Sequence, residues 1–330
     1  MATISDVAQK ADVSVATVSR VLNGSSRVSP ETALRVRRAI AELDYRPNLL
    51  GRNLRRTKSE RILVLLPNIA NPFYAEIVKG IEDVANRNGY SIMLCNTDSD
   101  PEREKKHIRM LKGYLADGAI LMASEMTCEE LTELSREVPI VQCCEYRAGL
   151  TISHVSIDNE MAAYQAVNHL VGLGHRRIAF IGARNHFLSS ALRKDGYIRA
   201  LKEAGIAFDQ VYCGYGDYSY KSGFRIMKQL LGLNPRPTAV FCVSDLMAIG
   251  AIRSAMEENL RIPRDLAVCG FDNIYFSSMF KPTLTTVSQP MYDLGCTAME
   301  VLINIIEGQT KGAAHYFLDH ELIIRESTAK

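Results

Sequence analysis

Five side chains close to the amino terminus carry the first legible chemistry. Arg20 can donate two hydrogen bonds to the O6 and N7 edge of a guanine, and Val15 and Ala16 can pack on thymine methyl groups. Thr17 and Ser19 are the other outward positions of the same segment. Val15, Val18, Val21 and Leu22 recur at helical spacing, so all five belong to one short amphipathic helix. Ser14 can cap its start and Asn23-Gly24 can end it. The chemistry offered is readout of base edges by the amino-terminal turns of a helix.

The neighbouring elements must position that helix. Thr3-Ile4-Ser5-Asp6 has the form of a capping box, followed by Ile4, Val7, Ala8 and Ala11 at helical spacing. Asp12-Val13-Ser14 breaks the pattern, leaving a short turn between two helices as in a helix-turn-helix. A third helix starts at Ser29-Pro30-Glu31 and presents Leu34, Val36, Ile40 and Leu43 as its apolar face. Residues 1–60 hold 11 Lys and Arg against 6 Asp and Glu, whereas the other 270 hold 28 against 31. A basic head on a mildly acidic body points to a polyanion that meets the head alone. An ordinary three-helix bundle with a solvated surface is the alternative that spacing and charge leave open.

The segments Ala2-Thr3-Ile4-Ser5-Asp6-Val7-Ala8, Val13-Ser14-Val15-Ala16-Thr17-Val18-Ser19-Arg20-Val21-Leu22-Asn23 and Tyr45-Arg46-Pro47-Asn48 closely resemble the lactose-repressor/galactose-repressor family of bacterial transcription regulators. The resemblance implies operator DNA as partner, with Thr3, Ser14, Val15, Ala16, Thr17, Ser19, Arg20, Asn23, Tyr45 and Asn48 at the interface. It also implies a hinge helix that folds on the operator. Leu54 matches the position that wedges into the minor groove, and Arg52, Arg55 and Arg56 suit phosphates. Gly51 costs such a helix about 1 kcal/mol relative to alanine, which makes it more dependent on DNA and on a dimer mate.

Beyond residue 60 the chain alternates apolar runs with amphipathic helices, as a parallel sheet covered on both faces requires. Strands are expected at 62–66, 91–95, 119–122, 140–143, 178–181, 239–242 and 266–269. Helices are expected near 73–88, 102–115, 128–137, 159–173, 190–204, 219–231, 245–259 and 290–307. Residues 61–90 and 177–206 align without a gap: each opens Arg-Ile, runs into a helix carrying Lys79-Gly80 or Asp195-Gly196, and ends at Gly89 or Gly205. Two such halves facing one another enclose a cleft at the carboxyl ends of their strands. The expected fold is therefore α/β: a helix-turn-helix head (1–46), a hinge helix and linker (47–60), and two Rossmann-like subdomains of the periplasmic-binding-protein type (61–330). From the resemblance, the first subdomain takes about 61–160 and 290–319, and the second about 161–289 and 320–330, with a last strand at 320–326.

The loops after the strands are where ligand chemistry is expected. Asn71-Pro72-Phe73-Tyr74 resembles the family's aromatic pocket segment, Arg193 a family arginine that bonds ligand hydroxyls, Tyr218 an aromatic that packs on the ligand, and Asp272 the ligand-binding aspartate. Asp245 either meets ligand or caps the helix that follows it. Tyr74 and Phe280 read as core or interface aromatics. Without ligand, Arg193 and Asp272 can pair across the closed cleft. An aromatic face with Arg and Asp suits a polyol ring. Segments such as Ile157-Asp158-Asn159 and Glu321-Leu322-Ile323-Ile324-Arg325 resemble the cytidine-repressor branch most. Phe187 stands where a purine-base repressor would carry an arginine, which disfavours a purine and leaves a sugar or nucleoside as effector.

Several function classes are disfavoured. The composition, 47% hydrophobic and 23% charged, is globular, and no apolar run is long enough to span a membrane. The amino terminus lacks the form of a secretory signal, which disfavours a periplasmic sugar receptor. The eight cysteines include no CxxC, and the seven histidines have no metal-ligand spacing, so reduced thiols, a cytoplasmic location and no metal are expected. No GxSxG, HExxH, P-loop or glycine-rich dinucleotide motif is present, so neither catalysis nor a cofactor is expected. The expected assembly is a homodimer or tetramer. Leu54→Ala should weaken binding to a specific operator by at least about 2 kcal/mol while sparing random-sequence DNA. Equal loss on both, in parallel titrations, would remove the wedge role.

Overall fold

The computed structural model describes residues 2–22, 27–45, 58–113, 115–310 and 312–329. It divides into two compact units, Met1–Ser59 and Glu60–Lys330.

In the first unit, helices α1 (Ile4–Lys10), α2 (Val15–Leu22) and α3 (Pro30–Glu42) enclose a small core of Val7, Ala8, Val18, Val21, Val36 and Ala39. Thr3 and Asp6 form the expected capping box, and Ser29 caps α3 with Pro30 in its first turn. Lys10 and Glu42, 2.9 Å apart, tie α1 to α3. Leu34 is 63% exposed, a departure from its expected place on the apolar face of α3. The buried positions Val36 and Ala39 are three apart, and a residue two before Val36 points to the opposite side of a helix.

Among the described residues, the second unit holds two six-stranded sheets. The first runs β11 (His315–Leu318), β5 (His154–Ile157), β4 (Ile140–Cys143), β3 (Gly118–Leu121), β1 (Arg61–Leu66), β2 (Ser91–Asn96), all parallel. The second runs β12 (Glu321–Ile323), β10 (Thr285–Ser288), β9 (Ala267–Asp272), β8 (Ala239–Cys242), β6 (Ile178–Ala183), β7 (Cys213–Gly216). It is parallel except for β12, which pairs antiparallel with β10. Central strands such as β1 and β6 are buried along nearly their whole length, as strands covered on both faces must be. The chain passes from one sheet to the other after β5, after β10 and between β11 and β12.

The helices of this unit are α4 (Phe73–Arg87), α5 (Pro101–Lys112), α6 (Cys128–Glu137), α7 (Asn159–Gly172), α8 (Leu188–Glu203), α9 (Tyr220–Leu231), α10 (Asp245–Glu257) and α11 (Met291–Ile306). Each falls close to its expected span. The strands β5, β7, β10 and β11 go beyond the expected set: each is four residues long, and β7 and β11 are partly exposed edges carrying polar or glycine residues. The last strand is shorter than expected, because Arg325 turns out of it to bond Asn273, Ser277 and the Leu284 carbonyl.

The repeated glycine of the two aligned segments has a packing reason. A Cβ at Gly80 would stand 2.1 Å from the Tyr292 carbonyl oxygen of α11, and one at Gly196 would stand 2.2 Å from the Glu160 carbonyl oxygen of α7. In both halves a helix backbone rests on its neighbour at that point. Gly80→Ala should therefore destabilise the protein by about 1–3 kcal/mol or more, the usual cost of overpacking. Gly172→Ala, where a Cβ meets nothing within 4 Å, should be neutral or stabilising. Urea unfolding of the two variants distinguishes them.

Candidate functional site

The carboxyl ends of both sheets face a cavity of about 640 Å³. Its first wall comes from the loops after β1, β2, β3 and β4, and its second from those after β6, β7, β8 and β9. Arg193, on the first turns of α8, is the central cation and is only 6% exposed. Its Nε donates to Asn159 Oδ1 at 2.9 Å and its Nη1 to the Val243 carbonyl at 2.8 Å. The guanidinium stacks 3.7 Å from the centre of the Phe271 ring, and Asp272 Oδ1 lies 3.9 Å from Nη1. Asp272 ends β9 at φ +114° and accepts a bond from Gln289 Nε2 at 2.8 Å. Burial pushes its carboxyl above the usual range, while Arg193 and Gln289 pull it back.

Aromatic groups line the same space. Phe73 meets Tyr74 edge to face at 5.1 Å between ring centres, and Phe187 and Tyr218 lie on the opposite wall. The Tyr218 hydroxyl bonds Ser190 Oγ at 2.7 Å. Asn71 Oδ1 accepts from the Phe73 amide at 3.1 Å and so holds the start of α4 in place.

Across the mouth the two walls touch. Glu145, in the loop after β4, accepts the Leu188 amide at 2.6 Å and the Ser189 amide at 3.3 Å. It thereby caps α8, whose own cap residue, Phe187, offers no side-chain acceptor. Burial raises the Glu145 carboxyl; the amide bonds and Arg193 oppose that shift. His186 Nε2 stands 2.8 Å from Arg147 Nη2 and 3.3 Å from Glu125 Oε2.

In the first unit, α2 presents Val15, Ala16 and Arg20 to solvent. Ser14 Oγ accepts the Thr17 amide at 3.1 Å and bonds Thr17 Oγ1 at 2.9 Å, which anchors the first turn. Thr3 spends its hydroxyl on Asp6, and Tyr45 packs on the small core.

Comparison with known proteins agrees with both halves of this description. Residues 3–48 match the description "bacterial regulatory proteins, lacI family" and residues 167–328 a periplasmic binding protein-like domain. The HTH-type transcriptional repressor CytR of Escherichia coli K12 is 40% identical over 99% of this chain and 96% of its own. The chain belongs to the lacI family of bacterial regulatory proteins. Among solved structures, a lac repressor dimer bound to operator and the anti-inducer ONPF superposes with a TM-score of 0.88 at 31% identity, covering 100% of this chain and 99% of that one. The transcriptional regulator CelR in complex with cellobiose gives 0.76 at 34% identity, covering 99% and 100%. These relatives are transcriptional regulators.

Of the residues singled out in the sequence of this lacI-family chain, Asn71, Phe73, Phe187, Arg193, Tyr218 and Asp272 all line this cavity. Asp245 does not. It is fully buried, with Oδ1 accepting Thr286 Oγ1 at 2.5 Å and Oδ2 the Ile274 amide at 2.9 Å, so it pins the loop after β9 from beneath. Nor does it cap α10, since Ser244 does. Arg193 and Asp272 both belong to the second sheet's half, so their approach does not cross the cleft. Tyr74 lines the cavity, contrary to a purely core role, whereas Phe280 is 54% exposed. Asn23, Asn48, Arg52, Leu54 and Arg55 lie outside the described residues. Sequence reasoning missed Glu145, Glu125 and His186; the one signal in the chain was the absence of a capping side chain at Phe187.

Glu145→Ala should cost about 1 kcal/mol, the worth of a helix cap, and Glu145→Gln, which keeps an acceptor, should cost less. Chemical denaturation of both variants beside the parent checks the order.

Proposed function

We propose that the protein is a transcriptional repressor that binds a pseudo-palindromic operator as a homodimer and is switched by a small neutral polyol, a sugar or a nucleoside, held in the cleft. The observation that carries the effector reading is the composition of the cavity wall. Among the described residues, the carboxylates Asp98, Glu125, Glu145, Asp217 and Asp272 face the arginines Arg184 and Arg193 among aromatic rings. Such a lining offers an anionic ligand no excess of cations. A neutral ring with hydroxyls can donate to Asp272, accept from Arg193 and stack on Phe73 or Tyr218. Phe187, with no hydrogen-bonding group at its tip, disfavours a purine base. For the head, the exposed Val15, Ala16 and Arg20 on a helix of the right length support insertion in a major groove. The site of action is the cytoplasm, at the nucleoid, and the assembly, dimer or tetramer, follows from sedimentation.

The switch follows from linkage. An effector that prefers the closed cleft shifts the population towards it, and the shift is felt at DNA by the same free energy. A thermal-shift panel of sugars and nucleosides, followed by operator titration with each hit, tests the reading. Asp272→Ala should weaken the best hit by about 2–4 kcal/mol and leave operator affinity without effector unchanged. Normal binding by that variant would move the ligand elsewhere. With roughly 6–10 phosphates neutralised per dimer, the log–log salt slope of operator binding should be about −5 to −9, and a slope shallower than about −3 would reduce the basic head to a solvated surface.

A further inference from the structure

Two cysteines at the end of β4 take no part in the arrangement described so far. Cys143 and Cys144 are consecutive, and their sulfurs stand 3.7 Å apart. Consecutive residues of a strand point to opposite faces. Cys144 escapes that rule because its φ is +69°, a value uncommon for a residue with a side chain. Cys144 lines the cavity, while Cys143 is fully buried behind it, its thiol 3.8 Å from the Leu294 carbonyl of α11. Both are free thiols. Cys242 and Cys269 also neighbour one another, but both are sealed within the core of the second sheet.

A disulfide suits this pair poorly. It would need sulfurs about 2.05 Å apart and Cα atoms usually 4.4–6.8 Å apart, whereas consecutive Cα atoms are held at about 3.8 Å. The hydrogen bond with Cys143 and burial both raise the Cys144 thiol, so it rests as the protonated S–H. A single atom bonded to both sulfurs suits it better. At a bond length of about 2.3 Å, typical of zinc–thiolate bonds, such an atom would subtend an angle of about 107° across the 3.7 Å gap. That angle does not fit a linear two-coordinate ion. A tetrahedral metal would need further protein ligands, and among the described residues no group of three or more His, Cys, Asp or Glu could hold one. A trivalent centre carrying its own organic group needs only these two sulfurs.

We propose that Cys143 and Cys144 form a dithiol site for a trivalent organoarsenical, entered from the cleft. The step balances without oxidant. From an arsine oxide, two As–S bonds form, the As=O bond and both S–H bonds break, and the two protons leave with the oxygen as one water. Cys144 reacts first, from the cavity wall, and Cys143 closes the ring. The organic group remains in the cavity, where Phe73 and Tyr74 offer aromatic surface.

The full-length protein treated with phenylarsine oxide is the test, read by intact mass and by peptide mapping under native conditions. The expected result is one equivalent, a gain of the reagent less one water, mapped to the peptide holding Cys143 and Cys144. It should survive an excess of monothiol and be removed by dithiothreitol. Cys143→Ser and Cys144→Ser should each lose the monothiol-resistant adduct, and Cys242→Ser should retain it. An adduct mapped to other cysteines, one that persists in either single variant, or none on the native parent overturns the assignment. Mapping on the parent keeps the test decisive if a serine variant fails to fold.

Discussion

The arrangement of the cleft depends on one buried guanidinium. Arg193 is almost wholly removed from water, and a charge so placed must be compensated by its surroundings. Its compensation comes from four places at once: the start of α7 through Asn159, the end of β8 through Val243, the Phe271 ring of β9, and Asp272 at that strand's tip. Those groups are distant in sequence and meet only where parallel strands end together. The Rossmann-like order of the second sheet is therefore what makes a dry cation possible there. In turn the cation fixes the end of β9 beside the mouth of the cavity.

A second buried acidic group, Asp245, lies close to Asp272. Asp245 is wholly buried and Asp272 nearly so; burial raises both carboxyls, and the nearby Asp272 raises Asp245 further. They are kept apart in role by their partners. Asp245 is consumed by Thr286 and the Ile274 amide, whereas Asp272 has Gln289 and the approach of Arg193 and still borders the cavity. Gly270 marks how tight the packing is, since a Cβ there would lie 2.3 Å from Asp245 Oδ1. Two aspartates following two strands look alike in sequence. Only the depth at which each strand ends separates a structural carboxylate from one that a ligand can reach.

That contrast shows where legibility stopped. The helices were readable because caps and 3.6-residue spacing are local: Thr3 with Asp6, Ser14 with Thr17, and Ser29 with Thr32 all close within one turn. The long central strands were readable because burial on both faces leaves unbroken apolar runs. Short strands such as β5 and β10 were not, because sequences as polar as His-Val-Ser-Ile and Thr-Thr-Val-Ser take strand form only through their neighbours. Arg193 and Asp272 were found through a resemblance, not from any local pattern. Glu145 left only an indirect trace, the missing cap at Phe187, since its meaning lies in an amide pair more than 40 residues away.

Glu145 also shows how such a cleft can have two states. The amino-terminal amides of α8 need an acceptor, and their own half of the molecule supplies no side chain for it. The acceptor instead comes from the loop after β4, on the other wall. If the walls separate, those amides must turn to water and the Glu145 carboxylate regains its hydration. The exchange is nearly balanced, because a hydrogen bond within the protein replaces one to water at a net gain of only about 1 kcal/mol. A contact of that size holds the walls together without locking them. Under the proposed mechanism, a ligand that adds bonds to Arg193 on one wall and packs on Phe73 of the other would decide the balance, which is the condition for a small molecule to act as a switch.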